Sequence, residues 1–406
     1  MTVRLSTESL HMQGLSSLLA RQADIARTQQ QLTSGSKLTQ AKDDPIGMAT
    51  AQRLDHMQAA LEQFGRNADR VDHRLRLHEN ALQDANDNLT RARELAIQAN
   101  SAALSPADRK AIAAEVLQLR QNLLGIANRE DGNGRRLFAG TRDGVTPFVD
   151  NAGSVAYHGD DGSNRVDVAP DVAITDGDPG SAVFMRVRTG DGHVRGTAGA
   201  SNTGSGVLQT AQVTNAASWS GAALTLRFTA TDAYEVVDGA GNPLSPAVTG
   251  SWTPGAAVPP ASAGLGVEFR VTGNPAAGDT FTLQPAPNQD VFATLQALAD
   301  ALSAPGTTPT DNAQRANAFG SAIADIATAQ DHMLALRADA GARMANIDTA
   351  NDDRGQQEVS LAESLSMLRD TDYAEAISRL NLQMVALEAA QKTILQAQGM
   401  SLFSKL

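Results

Sequence analysis

Apolar or small residues recur at alternating steps of three and four along residues 54–99: Leu54, Met57, Leu61, Phe64, Ala68, Val71, Leu75, His78, Leu82, Ala85, Leu89, Ala92, Ala96 and Ala99. That spacing is a heptad seam, and its length predicts one long helix with a narrow apolar stripe. At 1.5 Å per residue the helix would run about 70 Å. Gly65 interrupts it, at about 1 kcal/mol against alanine. Such a stripe must be covered by other parts of the chain. A weaker seam precedes it: Leu15, Leu18, Gln22, Ile25, Gln29 and Leu32. Polar Gln22 and Gln29 at a-type positions lower stability and specify register or partner, the pattern of a helix that needs company. The alternative for both glutamines is a half-exposed helix face.

Local chemistry sets the boundaries. Gly35 reads as the residue just past the first helix. Asp43 or Asp44 reads as the N-cap of the long helix, with Pro45 at its first position. The long helix ends near Asn100, and Ser105-Pro106 restarts a third helix with its own seam, Ile112, Val116, Leu119, Leu123 and Ile126. The short connection predicts an antiparallel hairpin of the second and third helices. Residues 128–144 are rich in turn formers and close on a small apolar plug, Leu137-Phe138. From there to about residue 290 the helical period is lost. Short alternating runs over 183–188, 207–213, 224–228, 234–237, 267–271 and 280–283 predict antiparallel strands, and 254–264 reads as a loose loop.

Helical spacing returns with Phe292, Leu295, Leu298 and Leu302. After a proline-bounded linker over 305–309 a second very long seam follows: Ile323, Ile326, Gln330, Met333, Arg337, Ala340, Met344, Ile347, Asn351, Arg354, Glu358, Leu361, Leu365 and Leu368. Its polar stretch over 351–358 points that part of the helix at water or at another subunit. The run RDTD at 369–372 breaks it, with Thr371 or Asp372 as a fresh N-cap. The last helix carries Tyr373, Ile377, Leu380, Met384, Leu387, Gln391, Ile394 and Gln398, with a second row at Leu382, Val385, Ala389, Leu395 and Leu402. Together with Phe403 these rows leave more apolar surface than one neighbour can cover. A terminal helix of that kind is a polymerisation or docking surface, or stays disordered until partnered.

The fold class that follows is mainly α with an inserted β domain. The N- and C-terminal segments form a long antiparallel coiled-coil bundle around a central antiparallel β domain. Three layers result: terminal helices at 1–44 and 370–406, a long-helix bundle at 45–144 and 291–369, and the β domain at 145–290. The core of the bundle is expected at Leu54, Leu61, Phe64, Val71, Leu75, Leu82, Leu89, Ile112, Val116, Leu119, Leu123, Ile326, Met333, Met344, Ile347, Leu361 and Leu365. Subunit assembly is expected at Leu15, Leu18, Gln22, Ile25, Gln29 and Leu32, and at Ile377, Leu380, Leu382, Met384, Val385, Leu387, Ile394, Leu395, Leu402 and Phe403.

Composition narrows the function. Aromatics are only 4% of the 406 residues, which suits thin helical bundles better than one thick core. A net charge of −12 argues against a nucleic-acid surface. The absence of cysteine removes disulfides, thiol catalysis and thiolate metal sites, and fits a protein working outside the cell without covalent staples. No window approaches a membrane span, and the N-terminal stretch lacks the apolar core and cleavage site of a signal peptide. Export without a cleaved signal, or residence in the cytoplasm, is the expectation. The histidines His11, His56, His73, His78, His158, His193 and His332 show no metal spacing, and no nucleophile elbow or phosphate loop is present. Neither enzyme activity nor a cofactor or metal is expected. The acidic turns at 159–164 and 176–179 read as hairpin turns rather than calcium loops, since they lack the required spacing.

The run LTSGSKLTQAKDDPIG over 32–47 resembles the signature that bacterial flagellin-type proteins place between two N-terminal helices. The segment DYAEAISRL at 372–380 and the ending AQGMSLFSKL at 397–406 resemble that family's C-terminal helix. Gly134 with LFAG at 137–140, the ending near 398–403, GDTFTL at 278–283 and QDVFATLQ at 289–296 resemble the family's hook–filament junction branch, the hook-associated protein 3 type. Asp44-Pro45-Ile46 stands where flagellin proper more often has small residues. The resemblance covers about residues 1–145 and 278–406. It implies a non-catalytic structural component of the flagellum, exported unfolded by the flagellar type III route, that sits between hook and filament. The implied partners are further copies of itself in a ring, the first hook–filament junction protein, flagellin, and an export chaperone on the C-terminal helix. Two other readings remain: a filament-forming flagellin, and a surface-exposed glycan- or host-binding module carried by the β domain.

Overall fold

A computed structural model describes the backbone at 7–40, 42, 44–100 and 104–403, and side chains within that range from 12 to 396. Among the described residues six helices frame the chain: α1 (Thr7–Ser34), α2 (Pro45–Ala99), α3 (Pro106–Ala127), α4 (Val291–Ser303), α5 (Pro309–Arg369) and α6 (Tyr373–Phe403). Between α3 and α4 lie fourteen strands: β1 (Phe148–Asn151), β2 (Ser154–Tyr157), β3 (Arg165–Ala169), β4 (Val172–Thr175), β5 (Val187–Arg188), β6 (Val194–Ala198), β7 (Val207–Val213), β8 (Leu224–Ala230), β9 (Ala233–Asp238), β10 (Pro243–Ser251), β11 (Ala257–Val258), β12 (Val267–Thr272), β13 (Thr280–Pro285) and β14 (Asn288–Gln289). The chain divides into two units, Met1–Arg66 with Thr349–Leu406, and Asn67–Asp348.

The helix boundaries follow their caps. Asp44 accepts from the Gly47 amide at 2.8 Å and so caps α2, with Pro45 in the first turn where a missing N–H costs nothing. Asp43 lies outside the described residues. Ser105 and Asp108 form a reciprocal capping box at α3. Asp290 caps α4 through the Ala293 amide at 2.6 Å. Asp372 receives the Ala374 and Glu375 amides at 2.9 and 3.1 Å and caps α6.

In the larger unit the stripe of α2 is covered from several sides. Val71, Leu75, His78, Leu82, Ala85, Leu89, Ala92, Ala96 and Ala99 are buried. So are Ile112, Val116 and Leu123 of α3, and Ile326, Met333 and Ile347 of α5, while Leu119 and Met344 are half-buried. Arg337 reaches Glu79 at 2.7 Å and Gln330 reaches Thr90 at 2.8 Å, so α5 runs antiparallel to α2. Arg91 bridges α2 to Glu115 of α3 at 2.8 Å. The expected α2–α3 hairpin is therefore only part of the arrangement, because α3 packs most closely on α4. Buried alanines, Ala113 and Ala127 on α3 and Ala299 on α4, leave room for that approach.

The expected strand over 183–188 is not one. Ser181–Met185 forms a π-helical turn, and only Val187–Arg188 is extended. Val183 and Phe184 are both fully buried within the turn. Phe184 meets Phe138 and Phe148 edge-on at 5.0 and 5.5 Å and lies 6.0 Å from Phe292, so the turn plugs the helical core. Arg120 of α3 grips Asp150 of β1 through two bonds of 2.7 and 3.0 Å. Those hydrogen bonds hold the Asp150 carboxyl below the ordinary carboxylate range.

Nearby, a buried ionic cluster joins loop and helices. Arg74 lies 3.3 Å from both Asp131 and Asp176 and donates to the Arg136 carbonyl at 3.0 Å. Asp178 accepts from Arg343 at 2.8 Å and lies 3.3 Å from His78. Burial pushes Asp176 upward. Burial also opposes ionisation of Asp178, but its hydrogen bonds to His78 and Arg343 outweigh it and bring the carboxyl down to about 2. His78 is a packed residue, 4.9 Å from the Phe138 ring.

The strands form the hairpins β1–β2 and β3–β4, the long-range pair β5–β14, and two larger sheets. One sheet has the order β10-β9-β8-β13-β6 and the other β11-β12-β7, antiparallel throughout. They share a second core in which Phe228 meets Trp252 and Phe281 edge-on at 5.2 and 6.0 Å. The loose loop expected over 254–264 holds the short strand β11 and a 3-10 turn at Ala261–Ala263.

In the smaller unit α2 pairs with the end of α5. Arg369 bonds Asp55, with one contact at 2.9 Å, and Leu61, Leu361 and Leu365 are buried. Leu54 and Phe64 are only half-buried and Met57 is exposed, because the wide cover seen over the other end of the stripe is missing here. The polar stretch 351–358 is mostly exposed, as its composition suggested, with Asn351, Arg354 and Glu358 half-buried. The Arg354 guanidinium lies against Gly65, where a Cβ would meet it at 3.2 Å. The seam break in one helix accommodates the polar layer of the other.

Candidate assembly surface

The helices α1 and α6 form an antiparallel pair in the smaller unit. At its base Gly35, at φ 71°, turns the chain back, a conformation that costs glycine little. Ser36 bridges to Asp370, Lys37 N donates to the Arg369 carbonyl at 2.7 Å, and Thr371 N donates to the Gly35 carbonyl at 2.9 Å. The Lys37 ammonium also donates to the Met367 carbonyl. Further along, Thr28 donates to the Gln383 side chain at 2.9 Å, and a Cβ on Gly14 would meet Ile394 at 3.3 Å. The junction between α5 and α6 is thus tied to the end of α1 by backbone bonds.

Only one row of each helix is used. On α1 Leu18, Ile25 and Leu32 are half-buried, seven apart, with Thr28 buried among them. On α6 Leu380, Leu387 and Ile394 are half-buried, again seven apart, and Ala376 is buried. The alternate members of both seams lie outside this contact. Leu15, Gln22 and Gln29 are exposed on α1, and Ile377 and Met384 on α6. The second row of α6, with Leu382, Val385 and Leu395, is exposed as well. Leu402 and Phe403 have side chains outside the described residues. Gln22 and Gln29 therefore do not set the register of α1 on α6.

The seam reading of α1 overlooked Met12 and Leu19, which are exposed and flank Leu15 at three and four residues. Their spacing carries the signal: a second apolar row runs beside the first. Each helix therefore turns one apolar row inward and shows another to its surroundings, which is surplus for a monomer of this size. What the arrangement offers chemically is area to bury. Among the described residues no group of three or more His, Asp or Glu is placed to hold a metal ion, and no helix is long and apolar enough to cross a membrane.

Two family descriptions match these helical ends. The bacterial flagellin N-terminal helical region matches residues 5–143, and the bacterial flagellin C-terminal helical region matches residues 323–406. The chain belongs to the bacterial flagellin family. Within it, the solved relatives it resembles are of the hook-associated protein 3 type. A crystal structure of FlgL from Xanthomonas campestris is 43% identical, with 77% of this chain and 99% of that one covered and a TM-score of 0.71. Flagellar hook-associated protein 3 of Legionella pneumophila is 29% identical over 78% of this chain and 98% of that one, with a TM-score of 0.73. The flagellar hook-associated protein 3 of Salmonella typhimurium is 30% identical over 46% of this chain, and the match spans 58% of that protein's own length.

Proposed function

We propose that this protein is a structural junction component of the bacterial flagellum, assembled between hook and filament, and that its work is mechanical coupling rather than catalysis. The observation that carries the reading is the pairing of α1 with α6 through one row each while a second apolar row stays open on both. The likeness to hook-associated protein 3 structures over nearly their whole length supports it. In this reading the open rows of 1–44 and 370–406 pack against neighbouring copies and form the inner layer of a ring. The long-helix bundle stiffens each subunit, and the β domain faces outward. Cooperativity comes from ring closure, because each heterologous contact is modest and the last one completes two interfaces at once. One side of the ring meets the first hook–filament junction protein and the other meets flagellin. Before assembly a chaperone covers the apolar rows of α6, and export proceeds by the flagellar type III route.

Truncation after Arg369 tests this. The expected product is a soluble, folded fragment that does not assemble onto hooks. A truncated protein that still assembles would refute the reading. Long filaments formed by the purified chain alone, seen by electron microscopy, would instead favour a filament flagellin.

A further inference from the structure

Two arginines in the larger unit stand apart from the rest. Arg74 and Arg120, both buried, and half-buried Arg343 each meet an aspartate: Arg74 with Asp131 and Asp176, Arg120 with Asp150, Arg343 with Asp178. Arg109 of α3 and Arg315 of α5 line one cavity of about 330 Å³ and meet no carboxylate within salt-bridge distance among the described residues. Arg315 is buried and spends its guanidinium on the Gly306 carbonyl at 2.9 Å and on the Asn312 side chain. Arg109 donates to the Leu104 carbonyl at 3.0 Å, while its Nε is buried without a hydrogen-bond partner. Asp311 is the acidic group that acts on Arg315, and it is already engaged by the Thr308 amide at 2.9 Å and hydroxyl at 2.6 Å. Burial and then the nearby charge of Arg109 pull Arg315 downward. The cavity is completed by Asn100, Ser205 and the first turn of α5, whose amide end adds positive potential.

Two like charges sharing a partly enclosed space are costly unless something neutralises them. In a chain of net charge −12 that already pairs its other buried arginines, such a pair is conspicuous. We propose that the Arg109–Arg315 cavity is an oxyanion site that accepts a carboxylate or phosphate group. The forked guanidinium geometry suits both oxyanions. The group could come from a free small anion or from an acidic side chain of a second copy of this chain. The second source rests on the assembly reading above, and the first does not.

Calorimetric titration of inorganic phosphate and of succinate into the full-length protein, at physiological salt, tests the site independently of assembly. The expected result is a dissociation constant below about 1 mM, weakened at least about tenfold in Arg109→Gln and in Arg315→Lys. Arg109 is half-exposed, so its variant keeps the test alive if the Arg315 variant does not fold. Sedimentation of the same proteins at low ionic strength is the second arm. Self-association weakened by Arg109→Gln and by added phosphate, without tight binding of the small anions, assigns the occupant to a neighbouring copy. Small-anion binding that Arg109→Gln leaves unchanged overturns the proposal. So does the absence of both tight binding and any effect on self-association.

Discussion

The open row of α6 can be challenged without touching the monomer. Leu382, Val385 and Leu395 are 72%, 65% and 67% exposed and lie outside the row that meets α1. Fully burying such a side chain is worth about 2 kcal/mol, so covering the two-thirds still exposed would contribute about 1.3 kcal/mol apiece. Three of them together give roughly 4 kcal/mol, or about a thousandfold in an association constant. Replacing all three by glutamine keeps helix propensity close to that of leucine while removing the apolar surface. The triple variant should retain the helix signal in circular dichroism and the thermal transition of the parent. Its critical concentration for assembly onto hooks isolated from cells lacking this protein should rise by about three orders of magnitude, and swimming should be lost. A variant that assembles at the parent's concentration would show that the α6 row is not buried in the ring, and the argument from exposed area would fall.

Two further outcomes concern the larger unit. Phe184→Ala removes a fully buried ring packed against three other phenylalanines and should destabilise by about 4 kcal/mol in denaturant titration, with less than additive loss when combined with Phe138→Ala. Asp178 is depressed from 3.8 to about 2, so its share of stability is fully present above the unfolded value and is lost as pH falls from about 4 towards 2. Asp178→Asn should therefore cost about 2 kcal/mol at pH 7, and the gap to the parent should close by about pH 2, as read from unfolding free energies across that range.

The long seams were legible because a heptad stripe carries its own period. Residues 71–99 of α2 take the inward positions that the three-four spacing names. Caps were equally readable at Asp44, Ser105 and Asp372, where the side chain bonds the amide it was expected to reach. Less readable was how far cover extends along a stripe. Met57 has the same spacing as Leu82, yet one is exposed and the other buried, since only the number of neighbouring helices differs. The π-helical turn at Ser181–Met185 imitates a strand in one dimension, because Val183 and Phe184 are apolar whichever way the backbone turns. The order β10-β9-β8-β13-β6 depends on β13 returning from beyond β12, a pairing no local pattern encodes. For the assembly surface, the seam of α1 named Leu15 and Leu18 alike. Only the partner helix separates the row that is used from the row left open.

The short pairing of β5 with β14 has a consequence beyond its size. Val187 faces Gln289 and Arg188 faces Asn288, and Thr189 donates from its amide and its hydroxyl to the Pro287 carbonyl at 3.1 and 2.9 Å. The chain thus leaves for the two large sheets and comes back through a single doorway two strands wide. The sheets past that doorway are also held to α5, with the Leu208 amide donating to Asn317 at 2.8 Å and Arg195 donating to Asp325 at 2.7 Å. The family matches fall silent over 144–322, around this gate, while the helical ends on either side are recognised.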